Sequence, residues 1–261
     1  MKLNKSIIGM IHTLASPGTP KFNNNIDKII SKAITEAKLY KSFGLDGIII
    51  ENMHDVPYLK RNVGPEVTSI LSIIAYEIKK EFKDLVGIQV LAGANKEALA
   101  IAKSANLDFI RAEGFVFAHT ADEGIIESDA GELLRYRNSI NAENVNVFTD
   151  IKKKHSSHSI TEDISLLETA KAAEFFLSDG VIITGKSTGH EVDINDLESL
   201  KEKISVPVLI GSGITSQNLN KYINYADAFI IGSYFKKDGI WNNDLDERRI
   251  EDLLKEAHQL R

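Results

Sequence analysis

Glu51 closes the apolar run Gly47-Ile48-Ile49-Ile50, and Asp150 closes Val147-Phe148-Thr149. A carboxylate directly after an apolar strand is partly desolvated and calls for a cation, a hydrogen-bond donor or a metal. Arg111, at the end of the run 109–111, and Lys152, two residues past Asp150, are candidate counter-ions from neighbouring strands. Side chains two residues apart on a strand share a face, so Glu113 is expected beside Arg111 and Lys152 beside Asp150. His12 ends the first apolar run, and Asn52, Gln89 and Asn95 place amides at the second and third. This is a set for acid–base chemistry. Glu51 or Asp150 exchanges a proton, Arg111 and Lys152 stabilise developing negative charge, and the amides orient hydroxyls or a base ring. The same residues also read as a charge network that braces the rim of a sheet.

A second kind of signal lies near the C-terminus. Val208-Leu209-Ile210 stops at Gly211-Ser212-Gly213, and Asp227-Ala228-Phe229-Ile230-Ile231 stops at Gly232-Ser233. Glycines let a ligand approach the backbone, and free N–H groups favour an anion. Two successive strand ends of this kind match the phosphate site that (β/α)8 barrels build after their seventh and eighth strands. Thr184 and Gly185 end the sixth run and add candidate binding groups; the following Lys186-Ser187-Thr188-Gly189 does not complete a Walker pattern, so no nucleotide triphosphatase is inferred.

The elements that must position these groups are regular. Apolar, β-branched runs at 7–11, 47–50, 86–91, 109–111, 145–148, 181–184, 206–210 and 228–231 alternate with segments of helical spacing, such as 26–43, 67–82, 164–177 and 247–260. Strand–helix alternation implies a parallel sheet, and eight units favour a closed barrel over an open one. The expected fold is therefore α/β, a single (β/α)8 barrel over 1–261, with the active site at the C-terminal ends of its strands. Asp46, Asp108, Asp179 and Asp227 sit at helix-to-strand boundaries; that is the stability face, and they receive no catalytic role.

Composition narrows the partners. The 261 residues carry a net charge of −6, with 43% hydrophobic and 26% charged residues. That balance fits an ordinary globular chain and argues against a nucleic-acid surface. Cysteine is absent, which removes disulfides, thiolate metal sites and cysteine nucleophiles. No window reads as a transmembrane span, no signal peptide is evident, and a cytoplasmic location is expected. Homo-oligomerisation is expected because barrels commonly pack through their helices. No cofactor is required; a divalent cation at His12, Glu51, Asp150 and His155 is compatible with the residue types, but no HxH or HExxH spacing specifies it, and no metal ligand is assigned. Lys152 or Lys186 could form a Schiff base if desolvated, although neither lies inside an apolar strand. The long segment 114–124, with Phe115, Phe117 and His119, is expected to act as a lid or a partner surface.

Across most of its length the chain resembles the BtpA/SgcQ family. The segments that carry the resemblance are IGMIHTLASPGTP, DGIIIENMHDVPY, GIQVLAGANKEALAIAKSANLDFIRAEGFVFAHTADEGIIESDAGELLRYR, VFTDIKKKHSSH, DGVIITGKSTGHEVD and VLIGSGIT. The resemblance implies the barrel, and the family's label of membrane complex biogenesis, tied to photosystem I, implies an assembly role. Two functions are thus carried forward. One is an enzyme, a lyase, isomerase or glycosidic-bond hydrolase, acting on a phosphorylated sugar or a nucleoside monophosphate. The other is a non-catalytic assembly factor docking through the segment 114–124 or through Lys152-Lys153-Lys154.

Overall fold

Apolar alternation builds eleven strands among the described residues, 3–185 and 190–261, of a computed structural model. They are β1 (Ser6–His12), β2 (Gly47–Glu51), β3 (Leu85–Gln89), β4 (Phe109–Ala112), β5 (His119–Ala121), β6 (Gly124–Ile126), β7 (Asn146–Ile151), β8 (Ser156–Ser157), β9 (Gly180–Ile183), β10 (Val208–Ile210) and β11 (Ala228–Ile231). Eight of them close a barrel in the order β1-β11-β10-β9-β7-β4-β3-β2, every pair parallel. The helices α1 (Ile26–Phe43), α2 (Gly64–Glu81), α3 (Asn95–Ser104), α4 (Ala130–Ser139), α5 (Leu166–Phe175), α6 (Ile194–Leu200), α7 (Leu219–Tyr222) and α8 (Glu247–Leu260) alternate with these strands, as the spacing predicts. Lys186, one of the two lysines considered for imine chemistry, lies outside the described residues.

Two apolar layers follow from the period-two side-chain alternation of the strands. One set of positions packs outward against the helices. The other, including Ile8, Met10, Ile49, Phe109, Phe148, Ile182, Leu209 and Ile230, fills the barrel interior. Phe109 and Phe148 tilt against one another inside it, with centroids 5.4 Å apart. Gly87 leaves room for them, because a Cβ there would stand 2.3 Å from the Phe109 ring. This interior is a packed plug, and it floors whatever sits above it.

The four helix-to-strand aspartates perform one repeated task. Asp46 accepts from the Ile7 amide at 2.7 Å, Asp108 from Val86 at 2.8 Å, Asp179 from Val147 at 2.8 Å and Asp227 from Val208 at 2.9 Å. Each carboxylate clasps the start of the neighbouring strand. They belong to the N-terminal face and fix strand register there.

Between β4 and β7 the expected lid takes a definite form. Residues 119–126 make the hairpin β5–β6, and β8 adds a third strand in the order β6-β5-β8. Phe115 does not cover a ligand: it is fully buried in the outer apolar layer. Among the described residues no helix is long and apolar enough to cross a membrane.

Candidate active site

Following the inward alternation upward, each barrel strand passes from an apolar plug residue to a polar or glycine residue at its C-terminal end. Met10 gives way to His12, Ile49 to Glu51, Gly87 to Gln89, Phe109 to Arg111 and then Glu113, Phe148 to Asp150, Leu209 to Gly211, and Ile230 to Gly232. The register sets His12 against Glu51, and Glu51 against Gln89. All of these end residues line one cavity of about 670 Å³ above the plug. That is the size and position expected of a small-molecule site in this fold.

Arg111 and Asp150 form a buried bidentate ion pair. Arg111 donates from Nε to Asp150 Oδ2 at 2.7 Å and from Nη2 to Oδ1 at 2.8 Å, and both residues are buried. Burial opposes the guanidinium charge, but Asp150 outweighs it and holds the Arg111 pKa above its ordinary value. With both carboxylate oxygens engaged, Asp150 orients Arg111 rather than standing free as a base. Glu113 is held from several sides. Gln89 Nε2 donates to its Oε1 at 3.0 Å, and Lys153 Nζ lies 3.4 Å from the same oxygen.

Glu51 and His12 stand side by side at the ends of β2 and β1. Their nearest atoms, Glu51 Oε2 and His12 Nε2, are 3.4 Å apart. His12 Nδ1 lies 3.0 Å from the Trp241 carbonyl, which can only accept, so Nδ1 carries the proton and Nε2 turns a lone pair toward Glu51. Burial, then the charge of Lys236, lowers His12 to about 3, against the hydrogen bond to Trp241. Burial raises the Glu51 pKa, offset in part by Arg111 and Lys154. A neutral histidine thus stands beside a carboxyl group that is protonated more readily than in water.

Gly211, Ser212 and Gly213 after β10, and Gly232 and Ser233 after β11, occupy one side of the cavity. Among the described residues, the backbone N–H groups of Gly213, Ser233 and Tyr234 find no acceptor. Gly213 has φ +75°, and a Cβ there would meet the His190 carbonyl oxygen at 2.3 Å, so only glycine fits. Across the barrel the wall is apolar, with Met53, Val56, Tyr58, Leu91 and Ala92 after β2 and β3. Trp241 closes the side near β1, its ring 4.9 Å from that of His54. The tip of the β5–β6 hairpin brings Asp122 and Glu123 to the rim.

Several residues expected at the site lie outside the cavity lining. Lys152 has φ +44°, which ends the alternation of β7; its Nζ donates to the Thr161 carbonyl at 2.9 Å, and Lys153 and Lys154 turn into the cavity instead. Asn52 accepts from the Leu91 amide at 2.7 Å and donates to Asp55 at 2.9 Å, tying together the loops after β2 and β3. Asn95 exchanges hydrogen bonds with the Glu113 main chain at 2.8 and 3.1 Å, and so supports a site residue. Thr184 Oγ1 accepts from the Lys154 amide at 3.0 Å, and Gly185 N–H donates to Ser212 Oγ at 2.7 Å. His119 is buried beside His158, with ring centroids 5.5 Å apart, away from the main cavity. His12, Glu51, Asp150 and His155 all line the cavity, and among the described residues no group of three His, Cys, Asp or Glu side chains is placed to hold a metal ion.

Strand-end reasoning does not select Lys153, Lys154, Tyr234 or Trp241. Strict alternation past Asp150 points to Lys152 in place of the two lysines that follow it. Trp241 follows β11 by ten residues, and its signal was its type alone: the single tryptophan of the chain, in a polar segment.

A model of the BtpA family matches residues 3–259. An uncharacterized mitochondrial protein of Caenorhabditis elegans is 48% identical, covering 98% of this chain and 94% of its own. The Photosystem I biogenesis protein BtpA of Synechocystis is 33% identical, covering 95% and 86%. Solved structures share the fold at low identity. N-(5'-phosphoribosyl)anthranilate isomerase from Pyrococcus furiosus has a TM-score of 0.58 at 12% identity, covering 98% of this chain and 100% of its own. The 3-hexulose-6-phosphate synthase from Salmonella typhimurium has a TM-score of 0.57 at 14% identity, again covering 98% and 100%.

Proposed function

The chain belongs to the BtpA family, and from the chemistry of its cavity we propose that it is an enzyme acting on a phosphorylated small molecule, a sugar phosphate or a nucleoside monophosphate. The observation that carries this reading is the polarity of a single cavity. Amides of Gly213, Ser233 and Tyr234 that have no acceptor among the described residues stand on one side, apolar Met53, Val56 and Tyr58 stand on the other, and Glu51, Arg111 and Glu113 lie between. The phosphate binds at the amides, which positions the rest of the molecule over Glu51. Glu51 exchanges a proton with the reacting carbon or oxygen, and His12, held neutral, faces it through the Nε2 lone pair. Arg111, held by Asp150, stabilises the negative charge that develops. The phosphosugar-processing enzymes among the fold neighbours support the substrate class by analogy only.

The test uses Trp241, which borders the cavity and is the only tryptophan. Its fluorescence should change saturably on titration with ribose 5-phosphate or a nucleoside monophosphate, and not with ribose. A Cβ at Gly232 makes only ordinary contacts, 3.4 Å to Met10 and 3.8 Å to His12. Gly232→Asp should therefore fold and, by placing a carboxylate in the phosphate position, weaken binding at least tenfold. Equal responses to phosphorylated and unphosphorylated compounds would sink the reading.

The name of the Synechocystis relative supports a second reading, an assembly factor for a membrane complex. That role would tolerate Glu51→Gln and Arg111→Lys in a complementation assay and depend on the hairpin surface, whereas the enzyme would lose function with either cavity variant.

A further inference from the structure

Of the lysines at the mouth of the barrel, one differs in its surroundings. Lys152 spends its amine on the Thr161 carbonyl, Lys153 is paired with Glu113 at 3.4 Å, and the deeply buried Lys236 is bound by both oxygens of Glu36 at 3.0 and 2.9 Å. Lys154 lines the cavity, and among the described residues its Nζ has no hydrogen-bond or ion-pair partner. Its backbone is fixed by the hydrogen bond from its amide to Thr184, so the side chain emerges from a rigid position beside the Arg111–Asp150 pair.

We propose that Lys154 is a covalent catalyst of this cavity, condensing through Nζ with the carbonyl carbon of an aldehyde or ketone whose phosphate occupies the Gly-Ser strand ends. The phosphate position rests on the reading above; the lysine chemistry is an addition to it. Burial, followed by the charge of Arg111, lowers the Lys154 pKa, which raises the fraction of neutral amine at neutral pH. The charges of Glu51, Asp150 and Glu113 act in the opposite sense and keep the shift from running further.

The chemistry balances without any redox partner. The Nζ lone pair attacks the carbonyl carbon, the π pair moves to oxygen, and a proton passes from nitrogen to that oxygen to give a carbinolamine. Glu51, held ready to protonate, then gives its proton to the hydroxyl, which leaves as water. An iminium on Lys154 and a carboxylate on Glu51 remain. The iminium withdraws electrons from the adjacent carbon, so a C–H or C–C bond there can break with its pair delocalised onto nitrogen. The substrate class is thereby narrowed from any phosphorylated sugar to one that presents a free carbonyl group, an open-chain aldose or ketose phosphate.

The experiment uses pyridoxal 5'-phosphate as a phosphorylated aldehyde, followed by borohydride reduction and peptide mass spectrometry on the intact chain. The expected result is one reduced adduct at Lys154, suppressed at least tenfold by excess inorganic phosphate. It should be absent in Lys154→Arg, which keeps the charge but forms no imine; cooperative thermal unfolding of that variant excludes misfolding as the cause. Labelling at half-maximal rate below the ordinary lysine range would support the neutral amine. Adducts spread over surface lysines, or confined to Lys153, would overturn the proposal. Unphosphorylated pyridoxal separates the two layers. If it labels Lys154 as efficiently as the phosphate ester and phosphate gives no protection, the lysine stands and the phosphate reading fails. If the ester perturbs Trp241 fluorescence and phosphate displaces it while Lys154 stays unmodified, the phosphate reading stands and the lysine fails.

Discussion

At the scale of single residues, the cavity works by holding groups in states that water would not allow. His12 is the clearest case. Its folded value of about 3 lies below the ordinary 6.5, so the unfolded chain binds its proton first as the pH falls. Its contribution to stability is therefore present above the ordinary histidine range and is lost as the pH drops from 6.5 toward 3. At roughly 1.4 kcal/mol per pH unit, the loss between pH 6.5 and 5 is about 2 kcal/mol. Asparagine retains a donor for the Trp241 carbonyl, so His12→Asn should fold and show a shallower pH dependence by about that amount. Urea unfolding at pH 7 and pH 5 measures it. An unchanged slope in the variant would mean that His12 accepts a proton in the native state. Glu51, whose pKa is raised by burial, titrates with the opposite sense in both proteins and largely cancels in the comparison.

At the scale of elements, the segment after β11 is what converts a barrel mouth into an enclosed site. It carries Trp241 to the cavity, and it is anchored by Lys236, which reaches Glu36 on α1 and is 2% exposed. Lys32 stands 3.6 Å from the same carboxylate, and its ion pair with Asp244 closes the network. Removing one member of a buried ion pair leaves an uncompensated charge and costs about 3–5 kcal/mol, while replacing both by apolar residues is often near neutral. Glu36→Leu should lower the free energy of unfolding by that amount, and Glu36→Leu with Lys236→Met should restore most of it. Equilibrium urea denaturation of the two variants decides this. A double variant no better than the single one would show that the pair sets the path of the segment, not merely its charge balance. The four strand-clasping aspartates are the opposite kind of element contact, local and repeated, and they were readable as turn residues because the same chemistry recurs at the same place in successive units.

At the scale of the whole molecule, ligand binding and stability are one equilibrium. A phosphorylated ligand bound only to the folded state at a hundred times its Kd stabilises by about 2.7 kcal/mol. For a chain of this size that corresponds to a rise in Tm of roughly 5–10 °C. Thermal unfolding with ribose 5-phosphate, or with a nucleoside monophosphate, should show such a rise in the wild-type protein and none in Gly232→Asp. Failure of every phosphorylated compound to shift the wild-type transition would count against the enzyme and in favour of the assembly factor.

The order of strands and helices, the closed barrel and the ring of polar strand ends were legible in the sequence, because side-chain alternation and the rise of each element are local properties. His12, Glu51, Gln89, Arg111, Glu113, Asp150 and the two Gly-Ser ends follow from that periodicity, and all of them line the cavity. What alternation could not say is where it stops. A single left-handed residue, Lys152, exchanges which lysines face inward, and its conformation depends on the packing of the neighbouring small sheet and of Thr161. Nor could spacing separate a carboxylate that meets an arginine in a bidentate pair, Asp150, from one that faces a neutral histidine, Glu51. Those partners are 39 residues apart in both cases, so their pairing is decided only when the barrel closes. Trp241 belongs to the same class: it reaches β1 through the closure of β11 onto β1, a contact between the two ends of the chain that no local pattern encodes.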